Sequence, residues 1–148
     1  MDTIYINTDG GARNNPGPAG VGVVFYDKDG KVLHEFKEYI GEATNNQAEY
    51  RAIIKALEIL LKSRWFKEHN GSSGAEIICR LDSQLVVEQI NGNYKVKNEG
   101  IIPLLQEVKT HLDKIEIDIS FVLIPREQNK LADKLVNNAL NTELKAEK

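Results

Sequence analysis

The chain has a single cysteine, Cys79, in 148 residues, so no internal disulfide can form. A lone thiol inside an apolar segment reads as a small core residue. An unpaired thiol also fits a reducing, cytoplasmic setting. No apolar run approaches the ~20 residues of a membrane span, so no membrane partner is expected. The start, Met1-Asp2-Thr3-Ile4-Tyr5, lacks the basic region and apolar stretch of a signal peptide. There is no excess of positive charge either: 19 Lys and Arg against 22 Asp and Glu leave a net charge of −3. Nucleic-acid-binding domains usually carry a basic excess, so the count speaks against that partner. Acids gathered in one site would bias the count, however, and bound divalent cations would reverse the local field there. No repeat, linker or second domain is visible. The length fits one domain with a real core, expected to act as a monomer.

Periodicity supplies the elements that are present. Residues 4–8 alternate and end at Asp9, as a strand does. Residues 10–20 hold four glycines and two prolines and read as a turn-rich loop. Residues 21–26 and 31–40 read as two further strands, joined by an Asp-Gly hairpin turn at Asp29-Gly30. Thr44 with Gln47 three residues later forms a capping box, and Ile53, Leu57, Leu60 and Leu61 follow the helical period. A loop at 69–74, a strand at 76–81 and a short helix at 83–90 come next. Pro103 opens another helix, 115–124 alternates as a fifth strand, and 127–140 is the last helix. The order βββαβααβα implies an α/β fold of the α+β kind: a mixed five-stranded sheet with helices on both faces. Residues 1–141 form the domain, and the polar stretch 142–148 reads as a frayed tail.

Four carboxylates sit at the ends of apolar runs or on the edges of apolar helical faces, where charge needs compensation. Asp9 ends the first strand before Gly10-Gly11 and is either a turn initiator or a functional acid. Glu49 falls within the arc of Ile53, Leu57 and Leu60, so it is a paired inward acid unless the helix dipole at the first turn explains it. Asp82 follows the fourth strand and is either a helix N-cap or a site residue. Asp133 flanks the stripe of Ala132, Val136, Ala139 and Leu140 and is either an exposed first-turn acid or a fourth site residue. At about 4 Å and an effective dielectric near 20, each carboxylate pair repels by roughly 4 kcal/mol. A cluster would therefore protonate or splay without cations. Oxygen donors with no Cys or His pair nearby select Mg²⁺ or Mn²⁺ over zinc. Two such ions about 3.5–4 Å apart suit phosphodiester hydrolysis.

Four ordered segments carry a resemblance: YINTDGGARNNPGPAG at 5–20, TNNQAEY at 44–50, LDSQLV at 81–86 and IPREQNKLAD at 124–133. Together they resemble type 1 ribonuclease H from about residue 3 to 140. The resemblance implies a ribonuclease H-like fold. It implies that Asp9, Glu49, Asp82 and Asp133 bind two Mg²⁺ ions, with Mn²⁺ expected to substitute. It also implies cleavage of the RNA strand of an RNA/DNA hybrid, leaving 3′-hydroxyl and 5′-phosphate ends. Asn15, Asn46 and Gln84 match polar contacts to the two strands, and Asn14 lies beside them. Thr44 matches a residue that cradles a DNA phosphate, besides being a helix cap. Backbone amides from Gly11 to Asn14 are placed to meet ribose hydroxyls, and Tyr94 lies where the family sets an aromatic against a deoxyribose. Glu49 matches the acid beside the 2′-hydroxyl, the group that tells RNA from DNA.

The chain departs from the pattern twice. Many members carry a histidine in the loop before the last acid, whereas this loop is Pro125-Arg126-Glu127-Gln128-Asn129-Lys130. Arg126 and Glu127 are the candidate substitutes, and the loop resembles that of a prokaryotic subset with an Arg-containing loop. His34, His69 and His111 read as structural or surface residues. Residues 91–102 also lack the long basic protrusion of some members, with Lys95 and Lys97 as their only cations. Fewer phosphate contacts imply a shallower salt dependence. The rival readings are a nuclease of the same fold acting on duplex RNA or DNA, and a non-catalytic hybrid-binding module.

Overall fold

β1 (Asp2–Ala12) and β2 (Gly17–Tyr26) form an antiparallel ladder that runs straight through the glycine-rich segment. In the computed structural model, which describes residues 2–146, Gly10 pairs with Val21, Gly11 with Gly20 and Ala12 with Ala19. The loop expected over 10–20 shrinks to a turn at 13–16, where Asn14 has φ of 70°. Asparagine tolerates that left-handed conformation better than most residues. Two glycines of the ladder provide room rather than a turn. A Cβ on Gly10 would lie 2.2 Å from the carbonyl oxygen of Ala48, and one on Gly22 would lie 2.3 Å from that of Ala132. Neither backbone atom can yield without moving its helix. Composition does not distinguish a glycine that turns from one that admits a close neighbour.

β3 (Val32–Ala43) completes the meander on the outer side of β2. β4 (Ala75–Leu81) lies parallel to β1, and β5 (Asp118–Leu123) parallel to β4. The sheet order is β3-β2-β1-β4-β5. β5 starts later than the alternation from Ile115 suggests. The backbone of Glu116 is engaged elsewhere: its N–H donates to Asn70 Oδ1 at 2.7 Å and its carbonyl accepts from Gly71 N–H at 3.1 Å.

α1 (Asn45–Lys62) packs on one face of the sheet and buries Tyr50, Ile53, Leu57 and Leu60 against Ile6, Val23 and Ile77. Each such aliphatic burial contributes roughly 1.5–3 kcal/mol. Ser63 ends α1 and at once caps α2 (Arg64–His69), accepting from Phe66 N–H at 3.1 Å. That short helix makes the order βββααβααβα, one helix more than the apolar period reveals. α3 (Gln84–Ile90) and α4 (Ile102–Leu112) follow β4. The expected helix over 127–140 divides into a 3₁₀ turn (Arg126–Gln128) and α5 (Lys130–Ala146). α5 covers the opposite face, where Ala132 and Leu135 meet Val24. It continues past the end of its apolar stripe, so the polar stretch from 142 is helical as far as Ala146, and residues 147 and 148 lie outside the described residues.

Candidate metal centre

Asp9 lies within β1 opposite Gly22, not at a turn. Glu49 lies beyond the first turn of α1 and is buried. It reaches Asp9 because the preceding residue, Ala48, presses on Gly10. Asp82 directly follows β4, and the N-cap of α3 is its neighbour Ser83, whose hydroxyl accepts from Val86 N–H at 3.3 Å. The local alternatives for these three acids (turn, first-turn dipole partner, cap) are therefore not what the structure contains. Asp9, Glu49 and Asp82 offer carboxylate oxygens within 4.8 Å of one another. Asp133 lies in the first turn of α5, so the dipole reading still applies to it. It lines the same cleft, of about 460 Å³, but is exposed.

Burial decides the charge state of this cluster. Asp9 is 8% exposed and Glu49 7%. Burial first, then the charge of Asp82 and that of Asp133, raises the Asp9 carboxyl to about 7, against a lowering hydrogen bond with Glu49. Glu49 is raised well above the usual carboxylate range, again mainly by burial and next by Asp9. Its Oε2 is buried without a hydrogen-bond partner among the described residues. A buried carboxylate oxygen with no donor, facing two further carboxylates, fits a divalent cation. Asp9, Glu49, Asp82 and Asp133 supply hard oxygen donors, and the cleft lining contains no His or Cys. That donor set matches Mg²⁺, Mn²⁺ or Ca²⁺ rather than zinc.

A protein family described as reverse transcriptase-like matches residues 7–139. The structure of LC11-RNase H1 in complex with RNA/DNA hybrid is 45% identical, with 95% of this chain and 99% of that one covered and a TM-score of 0.86. The chain belongs to the type 1 ribonuclease H family. RNase H1 from the halophilic archaeon Halobacterium salinarum is a second structural relative of this ribonuclease H chain, at 36% identity, a TM-score of 0.83 and coverage of 95% and 98%. The bifunctional protein Rv2228c of Mycobacterium tuberculosis is 39% identical over 93% of the chain, which spans 35% of that protein's length.

The ribonuclease H motifs do not all converge. Gly11, Asn46 and Arg126 line the cleft with the acids. Asn14 and Asn15 stand in the β1–β2 turn, and Asn15 Oδ1 accepts from Asn45 N–H at 2.9 Å. Asn45 Oδ1 in turn accepts from Ala12 N–H at 2.8 Å, which clasps the turn to α1. Thr44 caps α1: its hydroxyl accepts from Gln47 N–H at 3.1 Å, and Gln47 Oε1 accepts from Thr44 N–H at 2.9 Å. Gln84 is exposed at the start of α3, and Tyr94 is 44% exposed after it, so Tyr94 is not packed into the core. His69 stacks on Trp65, with ring centroids 4.6 Å apart, and does not line the cleft.

Sequence reasoning missed Asn129, Arg13 and Asn137. Asn129 is fully buried, and its Nδ2 donates to Thr8 O at 2.9 Å and to Asp82 Oδ2 at 3.4 Å. It ties the loop of Arg126 to β1 and Asp82. Its place in the fourth motif was the one available signal. Arg13 and Asn137 line the cleft from the turn and from α5.

Proposed function

We propose that this chain is an endoribonuclease that hydrolyses the RNA strand of RNA/DNA hybrids with two Mg²⁺ ions, leaving 3′-hydroxyl and 5′-phosphate ends. The observation that carries the reading is the convergence of buried Asp9 and Glu49 with half-buried Asp82, together with an unpartnered Glu49 Oε2. The LC11 relative bound to RNA/DNA hybrid supports the substrate class.

Divalent cations, when bound, offset the charge of the scissile phosphate and make water acidic enough to attack near neutral pH. Asp9 and Glu49, both buried, and Asp82, half-buried, would hold the ions. Asp133, on the exposed rim of the same cleft, would add a fourth carboxylate to the ion site. Glu49 meets the 2′-hydroxyl beside the cut bond and so favours RNA over DNA. Asn15, Asn46 and Gln84 contact the two strands, with backbone amides from Gly11 to Asn14 against ribose. Thr44 holds a DNA phosphate, and Tyr94, exposed, lies against a deoxyribose. Arg126, in the 3₁₀ turn at the cleft, takes the place of the loop histidine and steadies the departing phosphate end. Mn²⁺ substitutes for Mg²⁺, and the chain works as a cytoplasmic monomer. Among the described residues no helix is long and apolar enough to cross a membrane.

The test is cleavage of matched RNA/DNA hybrid, duplex RNA and duplex DNA with Mg²⁺, Mn²⁺ or EDTA, with end-group analysis of the products. Hybrid should be cut fastest and only with metal. Equal cutting of duplex RNA would give the reading to a nuclease of relaxed specificity, and hybrid binding without cutting to a binding module.

A further inference from the structure

Arg13 shares a cleft with four carboxylates and pairs with none of them. It belongs to no ion pair among the described residues. Its Nη2 donates instead to Asn141 Oδ1 at 2.6 Å and, more weakly, to Asn137 Oδ1 at 3.5 Å. These two acceptors are neutral amides one turn apart on α5, so they orient the guanidinium without neutralising it. The orientation is fixed at both ends. Arg13 N–H donates to Pro18 O at 2.8 Å, which pins the main chain in the turn. Asn137 Nδ2 donates to Asp133 O at 3.1 Å and lies 3.5 Å from Asp133 Oδ2. The amide therefore has its donor end occupied by Asp133 and its acceptor end turned to Arg13.

A mobile arginine beside acids would fold onto one of them. Arg13 is held back from doing so, and only one of its three nitrogens donates to a protein acceptor in these bonds. A guanidinium offers five donors in a planar fork that suits phosphate oxygens. We propose that Arg13, pre-oriented by Asn137 and Asn141, contacts a backbone phosphate of the nucleic-acid strand seated across the carboxylates. The inference rests on the nuclease reading above and adds a phosphate contact supplied by a residue outside the four acids.

Binding of a matched hybrid is measured across a salt series in an Asp9→Asn background, which removes cleavage. Arg13→Gln should weaken binding about tenfold, the loss of one charge-assisted contact. It should also reduce the slope of log K against log salt by about 0.9. Arg13→Lys should keep the slope and recover only part of the affinity, because a point charge cannot reproduce the fork. Asn141→Ala should keep the slope and weaken binding about twofold to threefold, because the charge stays but its orientation is lost. A thermal melt of each variant accompanies the binding data. If Arg13→Gln lowers the melting temperature but leaves affinity and slope unchanged, Arg13 only braces the turn against α5 and the proposal is overturned. Failure of the unaltered chain to cut hybrid would instead remove the nuclease reading, and it is seen before any variant is compared.

Discussion

α1 and α5 reach the sheet from opposite faces by the same construction, yet they deliver acids in different states. A Cβ on Gly10 would lie 2.2 Å from Ala48 O of α1, and one on Gly22 would lie 2.3 Å from Ala132 O of α5. Each crowded alanine is followed at once by an acid, Glu49 in one helix and Asp133 in the other. Gly10 follows Asp9 along β1, and Gly22 faces Asp9 across the ladder. Asp9 thus stands between the two contact points that bring the other acids in. Burial separates the outcomes. Glu49 is 7% exposed with an unpartnered oxygen, whereas Asp133 is exposed and solvated. The demand for a cation follows desolvation rather than the number of acids.

Removing the close approach should have the largest effect. Gly10→Ala sets a methyl group against Ala48 O, so α1 must lift and carry Glu49 away from Asp9. Cleavage of hybrid should fall by about 10³-fold or more, and stability by about 3 kcal/mol. Gly22→Ala lifts α5 instead and displaces Asp133, so its loss of kcat/KM should be smaller for a similar shift in the urea midpoint. Equal activity losses would mean that the two helices contribute alike. Next come the acids themselves. Glu49→Gln should cost about 10³-fold in kcat and Asp133→Asn about 10–100-fold. Without metal, Glu49→Gln should also raise the melting temperature by about 2–4 °C through relief of repulsion, and Asp133→Asn should raise it less. An equal rise in both variants would erase the contrast between buried and exposed acid.

The contrast was partly legible beforehand. Glu49 shares the apolar arc of Ile53, Leu57 and Leu60, and the helical period places it inward. Asp133 only flanks the stripe of α5, and it lies outside. The strands were legible where side chains alternate, as at 4–8, and where a short run is largely apolar, as at 76–81. The glycine-rich segment was misleading, because a glycine under a helix carbonyl and a glycine in a turn have the same composition. Asn129 was not legible: nothing in its polarity announces a fully buried amide, and its role depends on Thr8 O and Asp82, 121 and 47 residues away. α2 escaped because it is six residues long and depends on the Ser63 cap rather than on an apolar period.

pH sharpens the comparison at a smaller scale. Asp9 is raised to about 7 in the fold from a normal value of 3.8. Between those values the folded chain keeps a proton that the unfolded chain has lost, so the metal-free protein should lose stability as pH rises from about 4 to about 7 and level off above. Glu49, raised as well, acts in the same direction. The fall should amount to a few kcal/mol, at about 1.4 kcal/mol per unit. Urea midpoints at about pH 5 and about pH 8 in EDTA measure it, and saturating Mg²⁺ should flatten it by replacing the proton. Glu49→Gln should reduce the slope, and Asp133→Asn should change it less.

The smallest expected effect concerns how each helix is anchored at its start. α5 begins beside the fully buried Asn129, whereas α1 begins at a half-buried capping box of Thr44 and Gln47 together with the exposed bond of Asn15 Oδ1 to Asn45 N–H. Thr44→Ala removes one bond of the box and should cost about 1 kcal/mol, lowering the melting temperature by about 2–4 °C. The Asn15 bond and the Ala48–Gly10 contact remain, and they lie closer to Glu49 than the cap does in effect: they fix the helix backbone against β1. The kcat on hybrid should therefore stay within about twofold. Thr44→Ser keeps the hydroxyl and should restore stability. KM then separates the cap from the proposed phosphate contact, since a cap alone leaves KM at its original value and a contact raises it in Thr44→Ala while Thr44→Ser recovers it. A large fall in kcat for Thr44→Ala would show instead that the N-cap, and not the seat on Gly10, sets the position of Glu49.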